Sequence, residues 1–207
     1  FVCPHGILRP LLLTEEQTAA APRGFVTRKA IGYPEKYYTL GISALDCTGC
    51  GNCVSVCPAK EKALELNLLS NKRQDYESFW EFVKDMEPVL LTQKEISTIK
   101  GSQFLKPLLE FSGACAGCGE TPYAKLITQL FGDRMVVSNS AGCATVWGGS
   151  APGIPYTKNH KGYGPAWGFS LFEDNAEYGF GLSLGARTIR ETVASKITAL
   201  LRENIPK

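Results

Sequence analysis

The chemistry in this chain sits on its cysteines. Residues 46–58 read Asp-Cys-Thr-Gly-Cys-Gly-Asn-Cys-Val-Ser-Val-Cys-Pro, which places Cys47, Cys50, Cys53 and Cys57 in a C-x2-C-x2-C-x3-C-P run. Three thiolates at two-residue gaps fit a tight turn wrapped around one corner of an iron–sulfur cubane, each sulfur on a different iron. Cys57 lies past the reach of that wrap, is expected to begin a helix, and belongs to a different cluster. Pro58 keeps the loop from collapsing back and removes one amide donor. The competing reading is a zinc ribbon or a disulfide knot. Zinc sites, however, usually pair two C-x2-C units across a longer gap rather than taking three cysteines in succession.

Phe1-Val2-Cys3-Pro4-His5 has the look of the tail of another such motif. In two-cluster ferredoxins the fourth cysteine of each motif serves the other cluster. On that rule Cys3 completes the set Cys47, Cys50 and Cys53, and Cys57 is left as the one ligand here of a second cluster. A free cysteine near a terminus is the alternative for Cys3. His5 reads as a packing or surface residue rather than a ligand.

A second group follows. Cys115 and Cys118 form a C-x2-C in the Gly-rich loop Phe111–Pro122, and Cys143 comes after a short apolar strand pattern. Glycines 113, 117, 119 and 142 let backbone amides point at cluster sulfides. Three thiols are one short of a cubane. A redox dithiol at Cys115 and Cys118 with an unrelated Cys143 fits the spacing equally well. Glu120, just before a helix, suits the helix dipole without further purpose, and its place beside two candidate ligands also permits a cofactor contact.

The elements that must position these groups are partly legible. Thr14-Glu15-Glu16-Gln17 predicts a capping box opening a helix to about Ala21. Phe25–Ala30 and Tyr37–Ala44 predict strands. Ser78–Met86 predicts a helix with Phe79, Phe82 and Val83 on one face. Thr121 as N-cap and Pro122 at the first position predict a helix to about Phe131, with Leu126, Ile127 and Leu130 as its apolar stripe. Arg134–Ser138 reads as a buried strand. The glycine-rich, aromatic stretches Trp147–Tyr156 and Gly162–Gly168 read as loops. A helical pattern runs from Leu171 to about Glu203, interrupted near Gly179, Gly181 and Gly185, with Ile189, Val193, Ile197, Leu200 and Leu201 on its apolar face.

Composition sets outer bounds. The chain has 207 residues, 44% of them apolar, and a formal charge of +2. That charge gives no indication of nucleic acid as a partner. No run of about 18 apolar residues marks a membrane span. Eight cysteines at these spacings point to metal ligation in a reducing compartment rather than to secretion. The chain starts at Phe1 with Cys3-Pro4 almost at once and ends directly after a helical pattern, so it is expected to be an internal piece of something larger.

Three long stretches carry a resemblance: Asp46–Cys53, Phe111–Tyr123, and Ser170-Leu171-Phe172-Glu173-Asp174-Asn175-Ala176-Glu177-Tyr178-Gly179. In this order they closely resemble the pyruvate:ferredoxin (flavodoxin) oxidoreductases, over essentially the whole chain. The resemblance implies an α+β ferredoxin-like [4Fe-4S] domain at 1–60, truncated at its N-terminal side. A connector at 61–112 follows, then at 113–207 the N-terminal part of an α/β thiamine diphosphate-binding domain.

By position the resemblance implies Cys3, Cys47, Cys50 and Cys53 as ligands of one [4Fe-4S] cluster and Cys57 as one ligand of another. It implies Cys115, Cys118 and Cys143 as three ligands of the proximal [4Fe-4S] cluster, the fourth lying downstream, and Glu120 and Cys143 as contacts of thiamine diphosphate. No catalytic residue is expected in this segment. The Mg2+ ligands, coenzyme A groups and pyruvate-binding residues of the family lie outside it. The implied parent oxidatively decarboxylates pyruvate to acetyl-CoA and CO2 and passes electrons to ferredoxin or flavodoxin. It is expected to be a homodimer in the cytoplasm or another reducing, low-oxygen compartment, and the segment is expected to be inactive alone. A standalone ferredoxin-type electron-transfer module and a zinc-binding structural protein are the other readings.

Overall fold

The computed structural model describes residues 1–149 and 153–203, apart from the side chain of Asn71. Ser150, Ala151 and Pro152 of the expected loop therefore lie outside the described residues. The chain divides into two units, Phe1–Met135 with Val146–Pro165, and Val136–Thr145 with Ala166–Lys207.

The first unit is built on a three-stranded antiparallel sheet of β1 (Leu8–Leu13), β2 (Arg28–Lys29) and β3 (Tyr37–Ile42), in the order β1-β3-β2. Strand β1 pairs with β3 from Leu8↔Ile42 to Leu13↔Tyr37. The sequence does not predict this strand, because Leu-Arg-Pro-Leu-Leu-Leu has no alternation and carries Pro10. Proline is tolerated here because β1 is an edge strand, where a missing donor costs no ladder bond. The expected strand Phe25–Ala30 shrinks to the two residues of β2.

Helix α1 (Glu15–Ala19) has the predicted box in full, since Thr14 Oγ1 accepts from Gln17 N at 3.1 Å and Gln17 Oε1 from Thr14 N at 2.9 Å. Helix α2 (Asn52–Ser55) is one turn long, and Cys57 follows it rather than beginning a helix. Pro58 next in the chain accounts for the difference: the residue before a proline is pushed out of helical conformation. Helix α3 (Arg73–Lys84) begins five residues before the expected start and lies on β3. Gly41 permits the approach, since a Cβ there would stand 3.0 Å from Val83 Cγ2 and 3.3 Å from Leu11 Cδ1.

Phe79 and Phe82 of α3 both meet Phe25 edge-on. Short helices α4 (Gln93–Ile96) and α5 (Ile99–Ser102) follow, each opened by a threonine cap. They lead to Phe104, which packs with Leu12 and Tyr33 in a small apolar core. Residues 61–112 thus contribute to the same unit as the sheet.

Helix α6 (Thr121–Phe131) reverses the expected facing. Its buried residues are Thr121, Lys125, Thr128 and Gln129, whereas Ile127 is 47% exposed and Leu126 and Leu130 are half-buried. Hydrogen bonds draw the polar face inward. Gln129 Nε2 donates to Ser102 O at 2.6 Å and Leu105 O at 3.1 Å, and Thr128 Oγ1 donates within the helix to Ala124 O at 2.9 Å. Glu120, not Thr121, occupies the N-cap, with no side-chain cap bond.

The second unit holds a parallel pair, β4 (Val136–Ser140) and β5 (Ala166–Ser170), in register from Val136↔Ala166 to Ser140↔Ser170. Strand β4 is not buried as expected, Val136 being 58% exposed. Strand β5 replaces part of the expected loop, because Gly168 removes the side chain that would collide with the Tyr178 hydroxyl. Helix α7 (Cys143–Gly149) turns the first part of the other expected loop into helix.

Helix α8 (Asn175–Glu203) runs 29 residues without interruption. Its glycines do not break it. A Cβ at Gly179 would lie 3.4 Å from Ser138 Oγ, so this glycine serves the seating of α8 on β4 instead. Ser138 Oγ and Asn175 Oδ1, 2.9 Å apart, bond the two elements at that end.

A buried ion pair ties β1 to the segment before the second cysteine loop. The Arg9 guanidinium donates to both oxygens of Glu110 at 2.5 and 3.2 Å, donates to Lys84 O at 2.8 Å, and stacks 4.7 Å from the Trp80 ring. Removing one partner of such a pair leaves an uncompensated buried charge, so Glu110→Ala is expected to lower stability by about 3–5 kcal/mol in urea denaturation of the apo chain.

Candidate metal centre

The end of β3 delivers the first cysteine loop. Ser43 N donates to Ile7 O at 3.0 Å, and the Ser43 hydroxyl donates to the Asp46 carboxylate, which closes a 3-10 turn over Ala44–Asp46. The loop then needs two left-handed residues, supplied by Gly49 at φ 69° and Gly51 at φ 77°. Cys47, Cys50 and Cys53 emerge on one side of it. With Cys3 they line a single hollow, walled by Ile7, Leu8 and Leu66.

All four thiols expected of the first cluster are therefore brought together by two segments far apart in sequence. They surround a volume rather than a point. Among the described residues no three His, Cys, Asp or Glu side chains are grouped as ligands of one metal ion.

The donor set is thiol throughout, with apolar walls and an amide aimed at sulfur: Gly49 N donates to Cys47 Sγ at 3.4 Å. Soft thiolates in apolar surroundings with amide-to-sulfur bonds are what an iron–sulfur cubane requires, so the residues present fit that group. Burial pushes the Cys53 thiol pKa up, its neighbours Cys3 and Cys47 adding to the effect and backbone hydrogen bonds opposing it.

Cys57 is not part of that lining. Its sulfur accepts from Ala63 N at 3.4 Å, and backbone hydrogen bonds from Ala59 and Ala63 hold its pKa below the usual thiol value.

The second cysteine loop is held by the residues next to Cys3. The Pro4 carbonyl accepts from Ser112 Oγ at 3.0 Å and from Thr121 Oγ1 at 2.8 Å. His5 O accepts from Phe111 N at 2.8 Å, and His5 Nε2 donates to Ala114 O at 2.7 Å. Pro4, His5, Ser112 and Thr121 are all buried. Between these anchors the loop turns through Gly117 at φ 73°, with Cys118 N donating to Cys115 O at 3.1 Å and Glu120 N to Cys118 Sγ at 3.4 Å. A Cβ on Gly117 would stand 3.7 Å from Cys50 Cβ, so the two cysteine loops are packed backbone to side chain.

Cys143 belongs to the second unit, where it opens α7 as an exposed residue close to the bond from Thr145 Oγ1 to Ser140 O at 2.7 Å. Cys115 and Cys118 belong to the first unit. Glu120 is exposed, with its backbone rather than its carboxylate engaged on Cys118. Two residues take part that the sequence does not single out for the site. His5 packs inside as expected, and its ring and carbonyl also anchor the second loop. Lys125 is only 7% exposed and shares a hollow with Cys3. No local pattern could have flagged either, since both act across more than 100 residues of chain.

Residues 41–60 match the family model of the 4Fe-4S binding domain. The whole chain also aligns with much longer proteins. It is 54% identical over 206 residues to the pyruvate-flavodoxin oxidoreductase of Enterobacter agglomerans, covering all of this chain and 17% of that protein. It is 51% identical over 202 residues to the pyruvate:ferredoxin oxidoreductase of Moorella thermoacetica, covering 97% of this chain and 17% of that protein. From end to end the chain is homologous to one stretch of the pyruvate:ferredoxin and pyruvate-flavodoxin oxidoreductases.

A mitochondrial pyruvate dehydrogenase [NADP(+)] of Euglena gracilis is 47% identical over 206 residues, covering 99% of this chain and 11% of that protein. The chain thus spans about a sixth of the length of the first two relatives. Its ferredoxin-like character in the first cysteine region stands on the matched family model and on the mixed helix and strand content around it. Among the described residues no helix is long and apolar enough to cross a membrane.

The Pro4 anchor gives a direct expectation. Thr121→Val leaves one hydroxyl fewer on a buried carbonyl, a loss of about 1 kcal/mol. Amide hydrogen exchange across residues 111–121 is expected to accelerate about fivefold while that of β1 and β3 is unchanged.

Proposed function

We propose that this chain is the cluster-bearing stretch of a pyruvate:ferredoxin/flavodoxin oxidoreductase. The observation that carries the reading is the convergence of Cys3, Cys47, Cys50 and Cys53 on one apolar-walled hollow. These four hold one [4Fe-4S] cluster. Cys57 is one ligand of a second, and Cys115, Cys118 and Cys143 are three ligands of the cluster nearest the organic cofactor. Glu120 and Cys143 face thiamine diphosphate, whose Mg2+ is held by other parts of the parent. On this reading 1–60 is the ferredoxin-like domain, 61–112 the connector, and 113–207 the first part of the thiamine diphosphate-binding domain.

When bound, thiamine diphosphate supplies the electron sink for decarboxylation, and the clusters supply one-electron carriers. The chain's own residues position and tune. The glycine turns at 49 and 51 present Cys47, Cys50 and Cys53 to one side. Amides of Gly49 and Glu120 aimed at Cys47 and Cys118 sulfur favour the charge-rich state, and the buried Ile7 gives the first site an apolar wall on its inner side. Apolar surroundings and amide-to-sulfur bonds are the means by which a protein sets a cluster potential. The parent converts pyruvate and coenzyme A to acetyl-CoA and CO2, with ferredoxin or flavodoxin taking the electrons. It works as a homodimer in a reducing, low-oxygen compartment.

Two experiments test this. Anaerobic incubation of the chain with iron and sulfide is expected to give brown visible absorbance and an EPR signal on reduction. Cys47→Ala is expected to lose both and Cys57→Ala to keep them. A colourless protein holding zinc, or a signal that survives Cys47→Ala, would contradict the assignment. Adding thiamine diphosphate, Mg2+, pyruvate and coenzyme A to the reconstituted chain is expected to release no CO2. Turnover would show that the substrate-binding machinery is here after all.

A further inference from the structure

Lys125 is out of place in its helix. It lies in the middle of α6 and is 7% exposed, although a lysine ammonium is seldom buried unless it is paired. Among the described residues it makes no ion pair within 4.0 Å and no side-chain hydrogen bond. The nearest carboxylate, Glu110, is committed to both donors of Arg9. Lys125 Nζ approaches the backbone at Gly6, where a Cβ would stand only 2.9 Å away, so glycine at 6 makes room for the ammonium. Gly6 also adopts φ 68°, the left-handed turn that follows Cys3-Pro4-His5. Cys3 and Lys125 line the same hollow together with Leu8 and Tyr38. A buried lysine with no direct ion pair among the described residues is thus held on the side of the cysteine that closes the first ligand set.

We propose that Lys125 is the buried cationic side chain that sets the reduction potential of the cluster held by Cys3, Cys47, Cys50 and Cys53. The inference rests on that ligand assignment. Reduction adds one negative charge to the cluster and leaves the lysine as it was. An adjacent cation stabilises the reduced form more than the oxidised one, and low dielectric keeps the effect from being screened. Burial lowers the Lys125 pKa below its usual value, outweighing the Glu110 and Cys3 charges that raise it. The lysine is a positioning and tuning residue: it donates no electron and ligates no iron.

The test is an EPR-monitored redox titration of the reconstituted 207-residue chain beside Lys125→Met, Lys125→Gln and Lys125→Arg. Wild type and the Cys47→Ala variant are run first. If the wild-type signal does not depend on Cys47, the ligand assignment falls and this proposal with it. Given a Cys47-dependent cluster, the two neutral variants are expected to bind the same iron and to hold the electron about tenfold less tightly, a midpoint lower by about 59 mV for one electron. Lys125→Arg is expected to stay within about threefold of wild type, since it keeps the charge. Gln carries the measurement should the Met variant fail to fold. Neutral variants titrating with wild type, or an Arg variant shifting as far as they do, would overturn the role while leaving the ligand assignment intact.

Discussion

The structure of the first unit hangs on one buried carbonyl. Pro4 O accepts two hydroxyls, from Ser112 and Thr121, at the two ends of the second cysteine loop. His5, the next residue, adds one bond from its ring and one to its carbonyl. Four hydrogen bonds from two adjacent residues therefore clamp residues 111–121 onto the segment that carries Cys3. An unsatisfied buried carbonyl costs about as much as the net gain of one or two hydrogen bonds, so this arrangement leaves little tolerance for partial docking. Proline suits the position because its fixed φ and missing donor leave only the carbonyl to be satisfied.

Around that clamp the charges are arranged unevenly. Arg9 and Glu110 satisfy each other in a two-pronged pair, closed on one side by Trp80 and on another by Lys84 O. Lys125 makes no such pair among the described residues. Geometry decides the difference: Glu110 has two oxygens, and a guanidinium fork takes both. Glu110 acts on Lys125 only through space.

What could be read from the residues was the local part. The cysteine spacing, the Thr14 capping box and the aromatic face of α3 all depend on residues within one or two turns of each other. The long-range part was not legible. Strand β1 shows no alternation because Arg9 is buried in an ion pair on a strand whose neighbours are leucines. The facing of α6 departs from the expected stripe because four polar residues, Thr121, Lys125, Thr128 and Gln129, find partners or room inside while Ile127 faces out. Glycines in α8 read as breaks, yet the helix passes through them, and at Gly179 the missing side chain lets β4 come close. In each case tertiary context outweighed propensity. The association of Cys3 with the Cys47 loop was legible only because the motif carries a ligand-crossing rule that periodicity does not.

Gly117 has a further consequence. Its backbone sits in a conformation that other residues enter only with strain, and a Cβ there would meet Cys50 and Asn52 at van der Waals distance. The gap between the two thiol-bearing loops is thereby about one methyl group deep, and it is the left-handed backbone rather than want of space that keeps the position for glycine. A bulkier side chain there would act as a wedge, prying the loops apart.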